Sequence, residues 1–220
     1  MKFKVITLFP EYIECLNNYS IIGRAIRNKK IVLETVNLRD FGLGSYKQVD
    51  DRPYSGSVGM LMRVDVATSA IRSTKAKNKR SRVVLLAADG KKFTQKLAEE
   101  YSTMDELVLL CAHYEGHDKR IEDYVDEKIS VGDYVVSGGE TPAMLIIDAV
   151  ARLIKGVLGK DESSEVESHS LQGDQRIIEH PQYTRPFEFE GKKVPKILLS
   201  GDPKKISVWT KKKTRKSKLI

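Results

Sequence analysis

Residues 130–143 read SVGDYVVSGGETPA, and the parsing of this stretch decides the fold. With Lys128 and Ile129 ahead of it, the stretch opens as an apolar strand. It then meets the doublet Gly138–Gly139 and passes into Glu140-Thr141-Pro142, an acidic and proline-marked helix start. Two earlier stretches repeat the grammar: VVLLAADGKK (83–92) and LLCAHYEGHDKR (109–120) are each an apolar run ending in a glycine turn beside polar groups. Strands of this kind alternating with helices imply a largely parallel sheet covered by helices on both faces, an α/β fold.

Working outward, the spacing predicts strands over 3–9, 31–38, 81–89, 106–114 and 128–137. It predicts helices over 10–29, 64–78, 94–104 and 119–127, and a long one over 141–159. Residues 39–63, rich in glycine, tyrosine and charge, read as a binding loop. Past Gly159 the hydrophobic period stops. The chain therefore divides into a main domain over 1–160, a flexible linker over 161–176 and a small C-terminal domain over 177–220 with one helix starting near Asp202-Pro203. The last segment is too short for a core of its own and must pack on the main domain or a partner chain.

The chain has 220 residues, 40% hydrophobic and 31% charged, which suits one sizeable globular core and an appendage. No run approaches the length of a membrane span, and MKFKVITLFPEY reads as a first strand and not a leader. Cys15 and Cys111 lie far apart without metal spacing, which fits core thiols in a reducing cytoplasm. A net charge of +8, concentrated in KKISVWTKKKTRKSKLI at the C-terminus, favours a polyanionic partner such as nucleic acid. The lysine run reads equally as phosphate contact or solvated tail, and Trp209 beside it as an anchor for the small domain or a stacking platform for a base.

The glycines locate the site. Neither G-x-G-x-x-G nor a phosphate-loop lysine motif is present. Gly90, Gly116, Gly138 and Gly139 instead fall at the C-terminal ends of three later strands, where open α/β sheets bind ligands. A lone Gly90 reads most simply as a turn residue.

The motifs VDDRPYSGSVGMLM, YEGHDKR, SVGDYVVSGGETPAM, ARLIKGVLG and HPQYTRP, in this order, resemble the bacterial tRNA (guanine-37-N1)-methyltransferase family, TrmD, of the SPOUT class. The resemblance implies an α/β domain with a deep trefoil knot, a linker and a small, mainly helical tRNA-binding domain. It implies S-adenosylmethionine held by three loops, an obligate homodimer and magnesium for activity. Carried over by position, the cofactor residues are Ala88, Ala112, Tyr114, Gly116, Val131, Gly132, Asp133, Tyr134, Val135, Val136, Gly138 and Gly139. Ala88 stands where the family has proline and Ala112 where it has glycine. Asp50 and Glu115 match acidic residues that seat the target guanine, Arg152 matches the arginine that polarises it, and Arg52 in the same loop as Asp50 reads as a substrate contact to phosphate. The family's general base is a linker aspartate; the matching position in EVESHS is Glu167, with Asp174 as the alternative register.

The chemistry fits these residue types. Guanine N1 carries a proton at neutral pH, so a carboxylate must take it, and an arginine near O6 would stabilise the charge that develops. Each residue also has a plainer reading. Arg152 can pair with Asp148 one turn earlier, Arg52 can bridge Asp50 and Asp51, and Glu167 can be a solvated charge. His113 and His117 lack a third ligand for a metal. A non-catalytic knotted RNA-binding protein and an rRNA methyltransferase are the competing functions.

Overall fold

The computed structural model describes residues 1–74, 80–158, 168, 171–172 and 175–218. Glu167 and Asp174, the two candidates for the base, lie outside the described residues. The chain separates into two compact units, Met1–Gly159 and Lys160–Ile220.

The first unit is built on five parallel strands: β1 (Lys2–Thr7), β2 (Val32–Asn37), β5 (Ser81–Lys92), β6 (Glu106–Cys111) and β7 (Glu127–Ser130). Their order is β2-β1-β6-β5-β7. Two-residue strands β3 (Asp50–Asp51) and β4 (Leu61–Met62) pair separately within the 39–63 segment. Alternation along each strand feeds two cores. Phe3, Val5, Val84, Leu86, Leu107, Leu109 and Cys111 point to one face; Ile6, Val83, Leu85, Val108 and Leu110 point to the other. Every residue of β6 is buried, as a central parallel strand requires.

The first face is covered by α1 (Pro10–Glu14), α2 (Ser20–Arg27), α4 (Gln95–Ser102) and α5 (Glu140–Ala151). The second is covered by α3 (Val64–Thr74) and a 3-10 turn at Lys119–Tyr124. In α5, Ala143, Ile146, Ile147 and Val150 repeat at helical spacing and are fully buried. Burying such a side chain is worth roughly 1.5–3 kcal/mol, so this face pins α5 to the sheet.

Several sequence expectations change. The helix expected over 119–127 is a 3-10 turn over Lys119–Tyr124, the strand expected over 106–114 stops at Cys111, and Cys15, read as a core thiol, is exposed while Cys111 is buried. The single helix over 10–29 is broken: α1 and α2 are separated by a 3-10 turn, and Ser20 takes a left-handed φ of 59°. The strand expected over 128–137 ends at Ser130, because β5 offers no partner beyond it. The helix expected over 141–159 begins at Glu140 and ends at Ala151. The chain beyond it passes through turns, with Gly156 at a φ of 79°.

The second unit holds α6 (Pro203–Lys213), whose start is capped by the Asp202 carboxylate accepting from the Lys204 and Lys205 amides. Beside it, β8 (Leu171–Gln172), β9 (Gln175–Ile178) and β12 (Arg215–Lys218) form an antiparallel sheet in the order β12-β9-β8. Part of the stretch read as linker is thus strand, and the basic tail supplies its partner. The hairpin β10 (Glu188–Phe189) and β11 (Lys192–Lys193) completes the unit. Trp209 packs edge-on to His180 at 6.0 Å and lies 6.4 Å from Tyr183, all within this unit.

Candidate active site

Three loops leave the C-terminal ends of β5, β6 and β7 and enclose a cleft of about 370 Å³. That is within the usual size range of small-ligand sites. The first loop is a detour inside β5. Leu86 and Lys91 both pair with Ile129, so Ala87–Gly90 are thrown out of the ladder toward the cleft. Gly90 makes the detour possible: a Cβ there would lie 2.5 Å from the Ile129 carbonyl carbon. Its role is close approach of two backbones, and not the turn that its sequence context suggested.

The second loop, Ala112–His117, is clamped by the 39–63 segment. Glu115 N–H donates to the Met60 carbonyl (3.1 Å), Met62 N–H to Gly116 (3.0 Å) and Asp118 N–H to Met62 (3.1 Å). Tyr114 adopts a φ of 64° at the centre of this loop. Burial, and then the neighbouring Asp50 carboxylate, raise its phenol above the ordinary value. Asp50, Tyr114 and Glu115 are therefore gathered at one rim. Arg52 is exposed and makes no ion pair among the described residues; Asp51 is taken instead by Arg63 at 2.6 Å.

The third loop is the stretch 131–139. Gly139 donates to the Ala112 carbonyl at 2.8 Å, and a Cβ on it would sit 2.5 Å from Cys111 Cα. The doublet lets the second and third loops touch. Glu140 then enters the core at the start of α5, where the helix dipole favours a carboxylate, and accepts a 2.7 Å hydrogen bond from the Thr7 hydroxyl. Burial, and then the charge of Glu140, push the Cys111 thiol well up.

Of the residues singled out by sequence, Ala88, Ala112, Tyr114, Glu115, Gly116, Val131, Tyr134, Val135, Val136, Gly138 and Gly139 line the cleft. Gly132 and Asp133 do not. The place of a Gly132 side chain is filled by the Tyr134 ring, 2.3 Å from a built Cβ, and Asp133 turns outward to an ion pair with Lys92. Arg152 is remote from the lining. It caps the C-terminal end of α5, whose 12 residues carry it about 18 Å from the cleft end of the helix. Asp89, His113, His117, Ser137 and Pro142 also line the cleft without having been assigned to it from sequence. For Asp89 the signal was present: an acid in an ADG turn at a strand end.

The cleft fits a nucleoside-type ligand. The backbone amides from Asp133 to Gly138 donate to no group among the described residues. Such amides are available to the ring nitrogens or hydroxyls of a ligand. Val135 is 89% exposed and Tyr134 56%, apolar surface that a flat ligand would cover. Among the described residues no three His, Cys, Asp or Glu side chains converge as metal ligands, and no helix is long and apolar enough to cross a membrane.

A parallel α/β domain with three loops gathered over such a cleft belongs among the α/β proteins that bind a small ligand beyond their strand ends. Comparison with known proteins makes the assignment specific. Residues 1–219 match the family model described as tRNA (Guanine-1)-methyltransferase TrmD, and the chain belongs to that family. A Clostridium perfringens tRNA (guanine-N(1)-)-methyltransferase is 46% identical over 97% of this chain and 88% of its own length. A Clostridium botulinum protein of the same name is 48% identical over 95% and 85%, and one from Chlamydia pneumoniae 49% identical over 95% and 56%.

Proposed function

We propose that this chain transfers a methyl group from S-adenosylmethionine to N1 of guanine 37 in tRNA, beside the anticodon. The observation that carries the proposal is the cleft: in a chain of this family, its third loop, with Tyr134 and Val135 in it, presents a run of amides without a partner among the described residues. These residues would hold the cofactor by its adenosine portion, with Ala88 and Ala112 closing the other two walls. The cofactor, when bound, supplies a methyl group on a cationic sulfur.

The chain's own residues handle the rest. Asp50, Tyr114 and Glu115 offer acceptors and a donor at the rim where the guanine edge would be seated. The N1 proton passes to a carboxylate, Glu167 or Asp174 in the alternative register, while Arg152 stabilises negative charge spreading onto O6. Because Arg152 lies at the far end of α5 from its own cleft, we assign it to the site of a second copy, so that the enzyme works as a homodimer in the cytoplasm. The basic second unit holds the tRNA backbone.

Single-turnover transfer to transcripts differing only at nucleotides 36 and 37 tests the proposal. Methylation should require guanine at 37, and Glu167→Gln should slow it by about 10² or more, the usual size for a positioned base. A normal rate for Glu167→Gln with a collapsed rate for Asp174→Asn would move the base to Asp174. No transfer to any guanine-37 transcript would overturn the function. The dimer is tested by mixing Arg152→Ala with Glu167→Gln chains: recovered activity supports shared sites.

A further inference from the structure

One wall of the cleft carries a charge network that the proposed chemistry does not use. Lys128, on β7, donates to Asp89 Oδ2 and to Glu122 Oε1, both at 2.7 Å. Glu122 Oε1 also lies 3.2 Å from His117 Nε2, and its other oxygen accepts from Lys119 at 2.6 Å. The network ties the detour in β5, the second loop, the 3-10 turn and β7 into one brace. Lys128 and His117 are largely enclosed, with side chains 17% and 10% exposed, whereas Asp89 is 73% exposed on the cleft side of the brace.

This arrangement leaves Asp89 in a defined chemical state. The hydrogen bond from Lys128 holds its carboxyl below the ordinary range, so it is ionised at neutral pH. One oxygen is occupied by Lys128, and no hydrogen bond from another described residue reaches the second. A carboxylate already neutralised by a lysine has little attraction left for a cation. Its free oxygen, with two lone pairs, is suited to neutral O–H donors, and the vicinal diol of a ribose offers such donors.

We infer that Asp89, held by Lys128, is a specificity-determining residue that accepts hydrogen bonds from the ribose hydroxyls of the cofactor, with His117 and Glu122 as the positioning brace. The inference rests on the cleft being the cofactor site, and deepens that reading. It concerns a residue of the first loop, outside the glycine-rich stretch that grips the base.

Calorimetry with two probes separates the outcomes. S-adenosylhomocysteine carries ribose, ammonium and carboxylate; 5′-methylthioadenosine carries the ribose alone. Asp89→Ala should weaken both by the same factor, about 10-fold or more for a hydrogen bond to a charged group. The 2′- or 3′-deoxy form of methylthioadenosine should lose a similar factor against the wild type and lose nothing further against Asp89→Ala. Asp89→Asn, which keeps an acceptor, should recover part of the loss. If Asp89→Ala weakens only S-adenosylhomocysteine, the carboxylate reads the ammonium and the inference is wrong. Equal affinities for wild type and Asp89→Ala would reduce Asp89 to a surface charge. Failure of the wild type to bind either probe would instead remove the cofactor reading beneath it.

Discussion

The two histidines of HYEGH stand four residues apart on one loop lining the cleft, and they are held by different forces. His113 is held by shape. Its ring lies edge-on between Phe9 at 5.3 Å and Tyr114 at 5.2 Å, its buried Nδ1 makes no hydrogen bond among the described residues, and Glu140 Oε2 is 3.9 Å away. His117 is held by charge, through Glu122 and the lysines around it. The difference teaches where each wall is vulnerable. Changes of volume should damage the His113 wall, and changes of charge the His117 wall.

The largest effect is expected from adding one methyl group at Gly139. Its Cβ would press on Cys111 Cα at 2.5 Å and the Ala112 amide nitrogen at 2.9 Å. These are backbone atoms of a buried strand end and cannot swing aside. Gly139→Ala should cost on the order of 1–3 kcal/mol or more in denaturant unfolding, as overpacking does, and should abolish cofactor binding. Gly138→Ala meets side-chain atoms as its nearest neighbours, Glu140 Oε2 at 2.4 Å and His113 Nδ1 at 2.6 Å. It should lose much less stability while still distorting the His113 wall. Equal losses for the two variants would break the distinction between backbone and side-chain crowding.

Next in size is the support beneath that wall. Thr7 and Glu140 are both buried and joined at 2.7 Å. Thr7→Val keeps the volume and removes the donor, leaving a carboxylate oxygen inside the core without its partner. The expected cost is roughly 1–3 kcal/mol. A change below about 0.5 kcal/mol would mean that water replaces the hydroxyl and that this wall also relies on solvent.

The His117 wall is probed by pH. Hydrogen bonds from Lys119 and then Lys128 depress the Glu122 carboxyl from 4.5 to about 2. A depressed carboxyl contributes stability that is fully present above its unfolded value and disappears as pH falls through its folded value. The contribution of Glu122 should therefore fade between about pH 4.5 and 2. Glu122→Gln should flatten that part of the acid-unfolding curve. An unaltered acid limb in Glu122→Gln would show that solvent screens the network.

The comparison also explains what could be read in the sequence. Residues 83–86 of β5 and the whole of β6 were legible because both faces are buried there, so VVLL and LVLLC run apolar without interruption. The stretch GDYVV passed for strand because apolar residues alternate there in the same way, yet Tyr134 and Val135 are apolar toward an open cleft and not toward a core. Local pattern cannot separate the two uses. The GGE start was legible as a turn into a helix, but its reason, contact with the Cys111 backbone and Thr7, joins positions far apart in the chain. Asp89 and Lys128 are likewise 39 apart. The sheet of the second unit escaped for the same reason, since β9 and β12 lie at its two ends. Family motifs located the cleft residues without telling which face it; Gly132 and Asp133 belong to the motif and not to the lining.

The smallest effect should come from Asp133. It pairs with Lys92, and the two side chains are 78% and 61% exposed. Water screens such a pair, and holding two mobile side chains together costs entropy, so exposed pairs contribute about 0–1 kcal/mol. Asp133→Ala should therefore shift the unfolding free energy by no more than a few tenths of a kcal/mol, and added salt should erase even that. The variant is informative because Asp133 sits inside the loop that lines the cleft, and Lys92 pairs with Ser130 just after β5 rejoins β7 at Lys91. If the pair only decorates the outside of the loop, Asp133→Ala and Lys92→Ala will be equally mild and additive. A loss above about 1 kcal/mol, shared by both single variants and not increased in the double, would show that the pair fastens the third loop to β5. Charge would then hold part of the glycine-rich wall as well, and the division between a wall held by shape and a wall held by charge would have to be redrawn.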